Sequence, residues 1–262
     1  MMLMESTMES TKEVTPQRPM VPVSLSIVIP AYNEERRLPP TLDRVLGFLK
    51  NERLQDWEIL IVNDGSSDGT AAVVKRYAVC EPRIRLIENP GNRGKGFAVR
   101  NGMLNARLDW ALITDADLSA PIEELSRLLD AVKSKNAAVA IGSRAVDRTL
   151  VSVHQSAFRE MSGRMFNLVM RAVTGLSFRD TQCGFKLFRR DAAQAIFSRQ
   201  TIDGFGFDVE DLIIAKQLGF TAVEVGVRWA NVEGTKVSLW NGVQSFGEVL
   251  QVRWNQLTGR YR

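Results

Sequence analysis

The chain of 262 residues is 45% hydrophobic and 24% charged, enough apolar material for one large α/β domain or a domain with an appendage. Its net charge of +4 suits an anionic ligand or a membrane surface, yet it lacks the dense basic clusters of a nucleic-acid binder. Two cysteines, Cys80 and Cys183, are too few for a disulfide framework or a cysteine-type zinc site and favour reduced thiols facing the cytoplasm, and the single histidine, His154, excludes histidine-rich metal centres.

Residues 1–22 mix Met, Glu, Ser, Thr, Lys and Pro without an apolar segment, and are expected to form a disordered leader, neither signal peptide nor anchor. A β-branched run, Leu25–Pro30, reads as the first strand. A helix over Pro39–Lys50 follows, with Leu42, Val45, Leu46 and Leu49 at helical spacing. Strands are expected at Glu58–Val62, Ile84–Ile87, Trp110–Thr114 and Ala137–Gly142, and helices at Thr70–Val79, Phe97–Ala106 and Pro121–Lys135. Strands alternating with helices, each strand ending in a polar Gly/Asp turn, imply a mostly parallel sheet covered on both faces.

Past Ser143 the alternation loosens. A long amphipathic segment runs from Gln155 to Leu176, followed by the short apolar run Phe185–Phe188 and helices over Asp191–Phe197 and Val209–Leu218. A strand over Ala222–Trp229 then leads to a C-terminal amphipathic helix, Leu239–Leu257. No stretch reaches the roughly eighteen apolar residues of a spanning helix.

Three turns at strand ends share one polarity and would lie along one rim of a parallel sheet, where ligands of such sheets bind. They are Tyr32-Asn33-Glu34, Asp64-Gly-Ser-Ser-Asp68 and Asp115-Ala-Asp117. Asp115 and Asp117 offer hard oxygen ligands for Mg²⁺ or Mn²⁺, whose shell is usually completed by water and substrate phosphate. Asp64 and the Tyr32 ring suit a base and ribose. Each turn alone is an ordinary cap or solvated loop; the conjunction carries the reading. Asn92-Arg-Gly-Lys-Gly96 opens a helix, so free N–H groups and two cations face the same rim, a setting that favours phosphate. Neither Gly-x-Gly-x-x-Gly nor a Walker Gly-Lys-Ser/Thr occurs, which removes the main support for a dehydrogenase or P-loop enzyme.

Taken together, Ile29-Pro-Ala-Tyr-Asn-Glu34, Val62-Asn-Asp-Gly-Ser66, Asn92-Arg-Gly-Lys-Gly96, Asp115-Ala-Asp117, Gly142-Ser-Arg144 and Asp180-Thr-Gln-Cys-Gly-Phe-Lys186 resemble the family 2 inverting glycosyltransferases of GT-A fold. Within them the set is most similar to the dolichyl-phosphate β-glucosyltransferases and their mannosyl sisters. The resemblance covers about Leu25 to Lys236 and implies a GT-A domain over 23–236 with a C-terminal amphipathic helix over 237–262. Two departures stand out: the N-terminal membrane helix of eukaryotic relatives is missing here, and Asn63 stands where Asp is more usual.

The resemblance implies metal-dependent, inverting transfer of one hexose to a dolichyl or polyprenyl phosphate, with glucose from UDP-glucose the first expectation. A GDP-mannose-dependent transferase and an inactive scaffold for membrane glycan assembly stay open as alternatives. It implies donor contacts from Pro30, Tyr32, Asn33, Glu34, Asp64, Lys95, Asp115 and Lys236, and a metal held by Asp115 and Asp117. Acceptor contacts are implied for Arg144, Arg159, Gln182 and Lys186, with Asp115, Asp117 and Arg144 as the catalytic set. Arginine suits bidentate phosphate binding. A phosphate monoester is already anionic near neutral pH, so such an acceptor needs no strong base and fits a chain with one histidine. Asp208 and Glu210 read equally as sugar or acceptor-loop contacts and as helix-start carboxylates favoured by the macrodipole. Val225-Gly-Val-Arg-Trp229 lacks the Gln of processive synthases, which disfavours polymer synthesis. Two basic amphipathic stripes, one around Phe158–Val173 and one over Leu239–Leu257, suit peripheral contact with the cytoplasmic face of a membrane.

Overall fold

The structure, a computed structural model, describes residues 23–52, 54–153, 171, 173–230 and 239–262. The expected leader, most of the 155–176 stripe, His154, Arg159, Arg164 and Lys236 lie outside them.

Seven strands form one sheet: β1 (Ser24–Ala31), β2 (Asp56–Asn63), β3 (Ile84–Glu88), β4 (Trp110–Ile113), β5 (Val139–Ser143), β7 (Lys186–Arg189) and β8 (Ala222–Gly226), in spatial order β3-β2-β1-β4-β7-β5-β8. A two-stranded piece joins β6 (Val151–Val153) to β9 (Trp229–Ala230). All pairings in the large sheet are parallel except those of β7, which is antiparallel to β4 and β5. Because β7 runs against its neighbours, it starts at the rim where they end. Lys186 lies opposite Ile113 of β4 and Ile141 of β5, so the Asp180–Phe185 segment leading into β7 is delivered to the end of the strand carrying Asp115.

The helices are α1 (Leu38–Asn51), α2 (Thr70–Cys80), α3 (Lys95–Asn105), α4 (Leu125–Lys135), α5 (Arg190–Phe197), α6 (Phe207–Gln217) and α7 (Leu239–Leu257). Side chains alternate across β1 with the strand period of two. Leu25, Ile27 and Ile29 enter a core shared with α1, α2 and α4, while Val28 joins a core shared with α3, α5, α6 and α7. Both cores are fully desolvated at these positions, so the β1 sequence is apolar on both faces except for Ser24, which donates to Asp109, and Ser26, which donates to Glu58. The two-sided apolar character of β1 and β2 is what a covered parallel sheet demands.

Three boundaries differ from the sequence reading for identifiable reasons. Helix α3 begins at Lys95 rather than Phe97, because Gly94 adopts φ +106 and gives its N–H to the Asp64 carboxylate (2.8 Å), turning the chain into the helix two residues early. The helix expected from Pro121 opens as a 3₁₀ turn, Ile122–Glu124, before α4. The strand expected over Ala222–Trp229 splits, since Arg228 turns its guanidinium and N–H onto the buried Glu124 and β9 leaves the main sheet to pair with β6. Helix α7 contributes Val249 and Val252, followed by Tyr261, to the same core as α3 and α6.

Candidate active site

The C-terminal ends of β1, β2 and β4 stand side by side, so the turns that follow them form one rim. The first two are laced together. Asn33, at φ 55, donates its N–H to Ser66 Oγ (2.9 Å) and accepts from Ser67 N–H (2.8 Å), and the Glu34 N–H donates to Thr70 Oγ1 (2.8 Å). Pro30 is the half-buried penultimate residue of β1, and the Tyr32 ring is 40% exposed on this rim. The Glu34 carboxylate pairs with Arg37 at 3.4 Å.

Asp64 is buried and faces the turn before α3. Its carboxylate accepts from Asn89 Nδ2 (2.7 Å), Arg93 N–H (3.1 Å) and Gly94 N–H (2.8 Å). A carboxylate has about four acceptor sites, so three are committed to holding that turn. Asp64, expected from the sequence as a base contact, thus fixes the backbone that carries Lys95.

Lys95 is the first residue of α3 and reaches across to Asp115, with Nζ 2.7 Å from Oδ1. Burial lowers the lysine pKa, but Asp115, then Asp208 and Asp117, outweigh it and hold the ammonium above its ordinary value. On the other side of Asp115 lies Gly184. A Cβ there would overlap the Asp115 carboxylate, so the glycine lets the Asp180–Lys186 segment pass against Asp115. Asp117 accepts from Ser119 N–H (3.0 Å), and Leu118 takes φ 47, which folds the chain back tightly after the two carboxylates. Strain of this kind persists where the surroundings over-determine the backbone. Here Thr41 of α1 helps by donating to Ala116 O (2.7 Å).

Arg144 follows β5 and forms a two-bond fork with Asp180: Nε to Oδ2 at 2.7 Å and Nη2 to Oδ1 at 2.8 Å, with the Arg144 N–H also donating to Oδ2 (3.0 Å). The Arg144 side chain keeps 32% of its surface exposed and lies over the Trp229 ring, 5.5 Å from its centroid. Burial raises the Asp180 carboxyl, but the Arg144 charge and hydrogen bonds win and hold it below the usual carboxylate range. Burial and the neighbouring Asp180 push the Cys183 thiol up to about 12, so it stays an inert thiol in the floor of the site. Gln182 donates its N–H to Asp180 Oδ1 (3.3 Å) and is half-buried.

Lys186 is placed differently from the sequence reading. Its side chain has no solvent exposure; Nζ pairs with Asp208 and also donates to the Asp208 carbonyl (3.2 Å), with the Phe207 ring 5.6 Å away. A direct acceptor contact would require this buried pair to open. Asp208 is the counter-ion of Lys186. Glu210 is fully buried and accepts from Thr201 N–H (3.0 Å), Thr201 Oγ1 (2.7 Å), Ile202 N–H (2.8 Å) and the Tyr261 hydroxyl (2.7 Å). It pins the loop before α6 to the C-terminal residues.

Asp211, one turn along α6 from Asp208, is fully buried and neither carboxylate oxygen has a hydrogen-bond partner. Burial pushes its pKa well above the ordinary value; Lys186 opposes this, and Asp208 and Glu210 add to it. A raised carboxyl pKa means the folded chain holds a proton the unfolded chain has released. The stability tied to that proton is complete below the ordinary carboxyl range and is lost as pH rises toward the folded value. Asp211→Asn removes the ionisable group, so its melting temperature is expected to gain on that of the wild type as pH increases from 4 to 8. A difference that stays constant over that range would show that Asp211 does not titrate abnormally.

Comparison with known proteins identifies relatives over most of the chain. Glycosyl transferase family 2 matches residues 26–197. A dolichyl-phosphate β-glucosyltransferase of Trichomonas vaginalis is 39% identical over 238 residues, covering 88% of this chain and 73% of that protein. The dolichyl-phosphate β-glucosyltransferase of Homo sapiens is 35% identical over 252 residues, covering 91% and 77%. Among solved structures, mannosyl-3-phosphoglycerate synthase from Rubrobacter xylanophilus overlays with a TM-score of 0.66 at 17% identity, covering 91% of this chain and 75% of that one. Glucosyl-3-phosphoglycerate synthase from Mycobacterium tuberculosis, in complex with Mn²⁺, UDP-glucose and phosphoglyceric acid, overlays at 0.58 and 18% identity, covering 91% and 80%. These overlays bear out the GT-A fold expected from the sequence. The chain belongs to glycosyl transferase family 2.

Proposed function

We propose that this protein transfers glucose from UDP-glucose, with inversion, to the phosphate of a dolichyl-type lipid at a membrane surface. The observation that carries the reading is the pairing, on one rim, of an acidic, lysine-bridged station (Asp115, Asp117, Lys95) with a cationic one (Arg144 on Asp180). Two relatives that match most of the chain bear the name dolichyl-phosphate β-glucosyltransferase, which supports the lipid phosphate as acceptor and glucose as the sugar.

The acidic station suits a divalent cation. Asp115 already holds one cation, the Lys95 ammonium, at 2.7 Å, and both residues are partly exposed. Among the described residues no group of three His, Cys, Asp or Glu converges, so the chain offers two carboxylates and leaves the other positions to water and diphosphate. Asp115 and Asp117 would hold the ion; when bound, it neutralises charge that collects on the departing diphosphate. Lys95 lies where it adds a further positive charge to that leaving group, and Asp64 fixes the turn that presents it.

Arg144 is the acceptor-side group. Its Nε and Nη2 are tied to Asp180, which sets the guanidinium plane and leaves Nη1 and the exposed edge for an anion. A phosphate oxygen of the lipid attacks the anomeric carbon as the bond from that carbon to the diphosphate breaks. The acceptor carries no proton that must be removed first, since the second phosphate pKa is about 6. The chain's task is alignment and charge compensation. In this reading Lys186, buried on Asp208, positions the floor of the site rather than touching the acceptor, while Arg159 and Lys236 keep their proposed acceptor and donor roles. Arg144→Ala is expected to raise the acceptor KM about ten- to a hundred-fold by removing charge-assisted contacts of ~1.5–3 kcal/mol. An unchanged acceptor KM would remove Arg144 from the acceptor site.

Membrane contact is proposed through α7. No described helix is long and apolar enough to cross a membrane. On α7, however, Leu250, Trp254 and Leu257 are 57%, 68% and 66% exposed while Val249 and Val252 face the core. An exposed apolar face followed by Arg260 and Arg262 fits an interfacial helix. Converting Leu250 and Trp254 to Ser is expected to reduce co-sedimentation with anionic lipid vesicles several-fold, leaving the fold intact by circular dichroism. Vesicle binding equal to that of the wild type would locate the contact elsewhere.

A further inference from the structure

We infer that Lys95 is a built-in competitor for the cation at Asp115, so that a divalent cation and a nucleoside diphosphate bind this site cooperatively. This rests on the donor site proposed above. The Asp115 carboxylate is flanked on two sides. Its Oδ2 lies against Gly184, so closely that a Cβ there would overlap it, and its Oδ1 is held by Lys95 Nζ at 2.7 Å. A divalent ion arriving at Oδ1 therefore meets a positive charge already there.

The competitor is movable while its base is not. The α3 start is fixed by Gly94 N–H on Asp64 (2.8 Å) and Phe97 N–H on the Asp203 carbonyl (3.2 Å). The lysine side chain beyond it is flexible, and 25% of its surface is exposed.

Like charges a few ångströms apart in a partly desolvated site repel strongly, more so for a divalent ion. A cation alone must overcome that repulsion or break the Lys95–Asp115 pair. A diphosphate changes the balance by giving the ammonium a new anionic partner, after which Asp115 is free for the divalent ion. Linkage makes the coupling reciprocal: the diphosphate gains from the cation by the factor the cation gains from it. Lys95 thereby biases the site toward loading the complete cation–diphosphate pair.

The test is direct Mn²⁺ binding to the full-length protein, read by electron paramagnetic resonance titration, with and without UDP. Lys95→Met is expected to bind Mn²⁺ alone at least about ten-fold more tightly than the wild type, and to lose most of the enhancement by UDP. Lys95→Arg, which retains a cation, should bind Mn²⁺ alone as weakly as the wild type. Arg93→Met removes a nearby positive charge that pairs with Asp203 rather than Asp115, and should leave Mn²⁺ affinity unchanged. Equal Mn²⁺ affinity of the wild type and Lys95→Met overturns the competition but leaves the donor site standing. Equal tightening in Arg93→Met overturns it too, by reducing the effect to net charge. If no protein binds Mn²⁺ even with UDP, the metal reading falls and the competition with it.

Discussion

Asp117→Ala is expected to abolish glucose transfer, and Asp115→Ala to leave no more than about a thousandth of it. Loss of a carboxylate that anchors the cation leaves diphosphate charge uncompensated in the transition state, an effect of several kcal/mol. The two variants should differ in one respect. Asp117 is partly exposed and, among the described residues, its side chain accepts one hydrogen bond, from Ser119 N–H, so its removal should leave the melting temperature close to that of the wild type. Asp115 also holds Lys95, and its removal leaves that ammonium beside Asp208 and Asp117. The comparison needs kcat and thermal melts on the same preparations. Full activity of Asp117→Ala, or of the wild type in excess EDTA, would remove the cation from the mechanism.

The largest effect on stability is expected at Asp208. Lys186 has no solvent exposure, and its charged partner is Asp208. Asp208→Leu strands an ammonium in the core, a loss of about 3–5 kcal/mol. Lys186→Met should cost less at mildly acidic pH. Burial already raises the Asp208 carboxyl above its ordinary value, with Lys186 as the main opposing influence, so without the lysine the acid can stay protonated. The double replacement Lys186→Met, Asp208→Leu should recover much of the loss, because two apolar groups of similar volume leave no charge behind. Urea denaturation of the four proteins at pH 6 gives the coupling energy. An additive cycle would mean the two residues do not depend on each other.

The alternation of β1 through β5 with its helices was legible because each strand is short, largely apolar and ended by a polar turn. The positions of Asp64, Asp115 and Arg144 just past strand ends, and of Lys95 at a helix start, followed directly. Less accessible was anything that depends on which turn touches which. The Asp180–Lys186 block stood out as a motif, but its work is tertiary. Asp180 orients Arg144, Gly184 gives room to Asp115, and Lys186 lies beneath the site on Asp208. All three depend on β7 running antiparallel between β4 and β5, and a four-residue strand carries no local sign of its direction. Glu210 illustrates a different obstacle. As a helix-start carboxylate it has an ordinary local explanation, and only the fold brings Thr201, Ile202 and Tyr261 around it. The exposed face of α7 was visible as a stripe, yet which apolar residues face outward was set by packing: Val249 and Val252 went to the core and Trp254 did not.

The central claim is the transfer itself, and one measurement addresses it most directly. Purified protein, Mn²⁺ or Mg²⁺, and UDP-[¹⁴C]glucose or GDP-[¹⁴C]mannose are incubated with dolichyl phosphate in detergent or vesicles, or with a soluble phosphate acceptor such as 3-phosphoglycerate. The account predicts label in the organic phase from UDP-glucose with dolichyl phosphate, as an acid-labile, β-linked glucosyl phosphate, and little from the other combinations. Label transferred preferentially to the soluble acceptor, or to lipid from GDP-mannose alone, would contradict it.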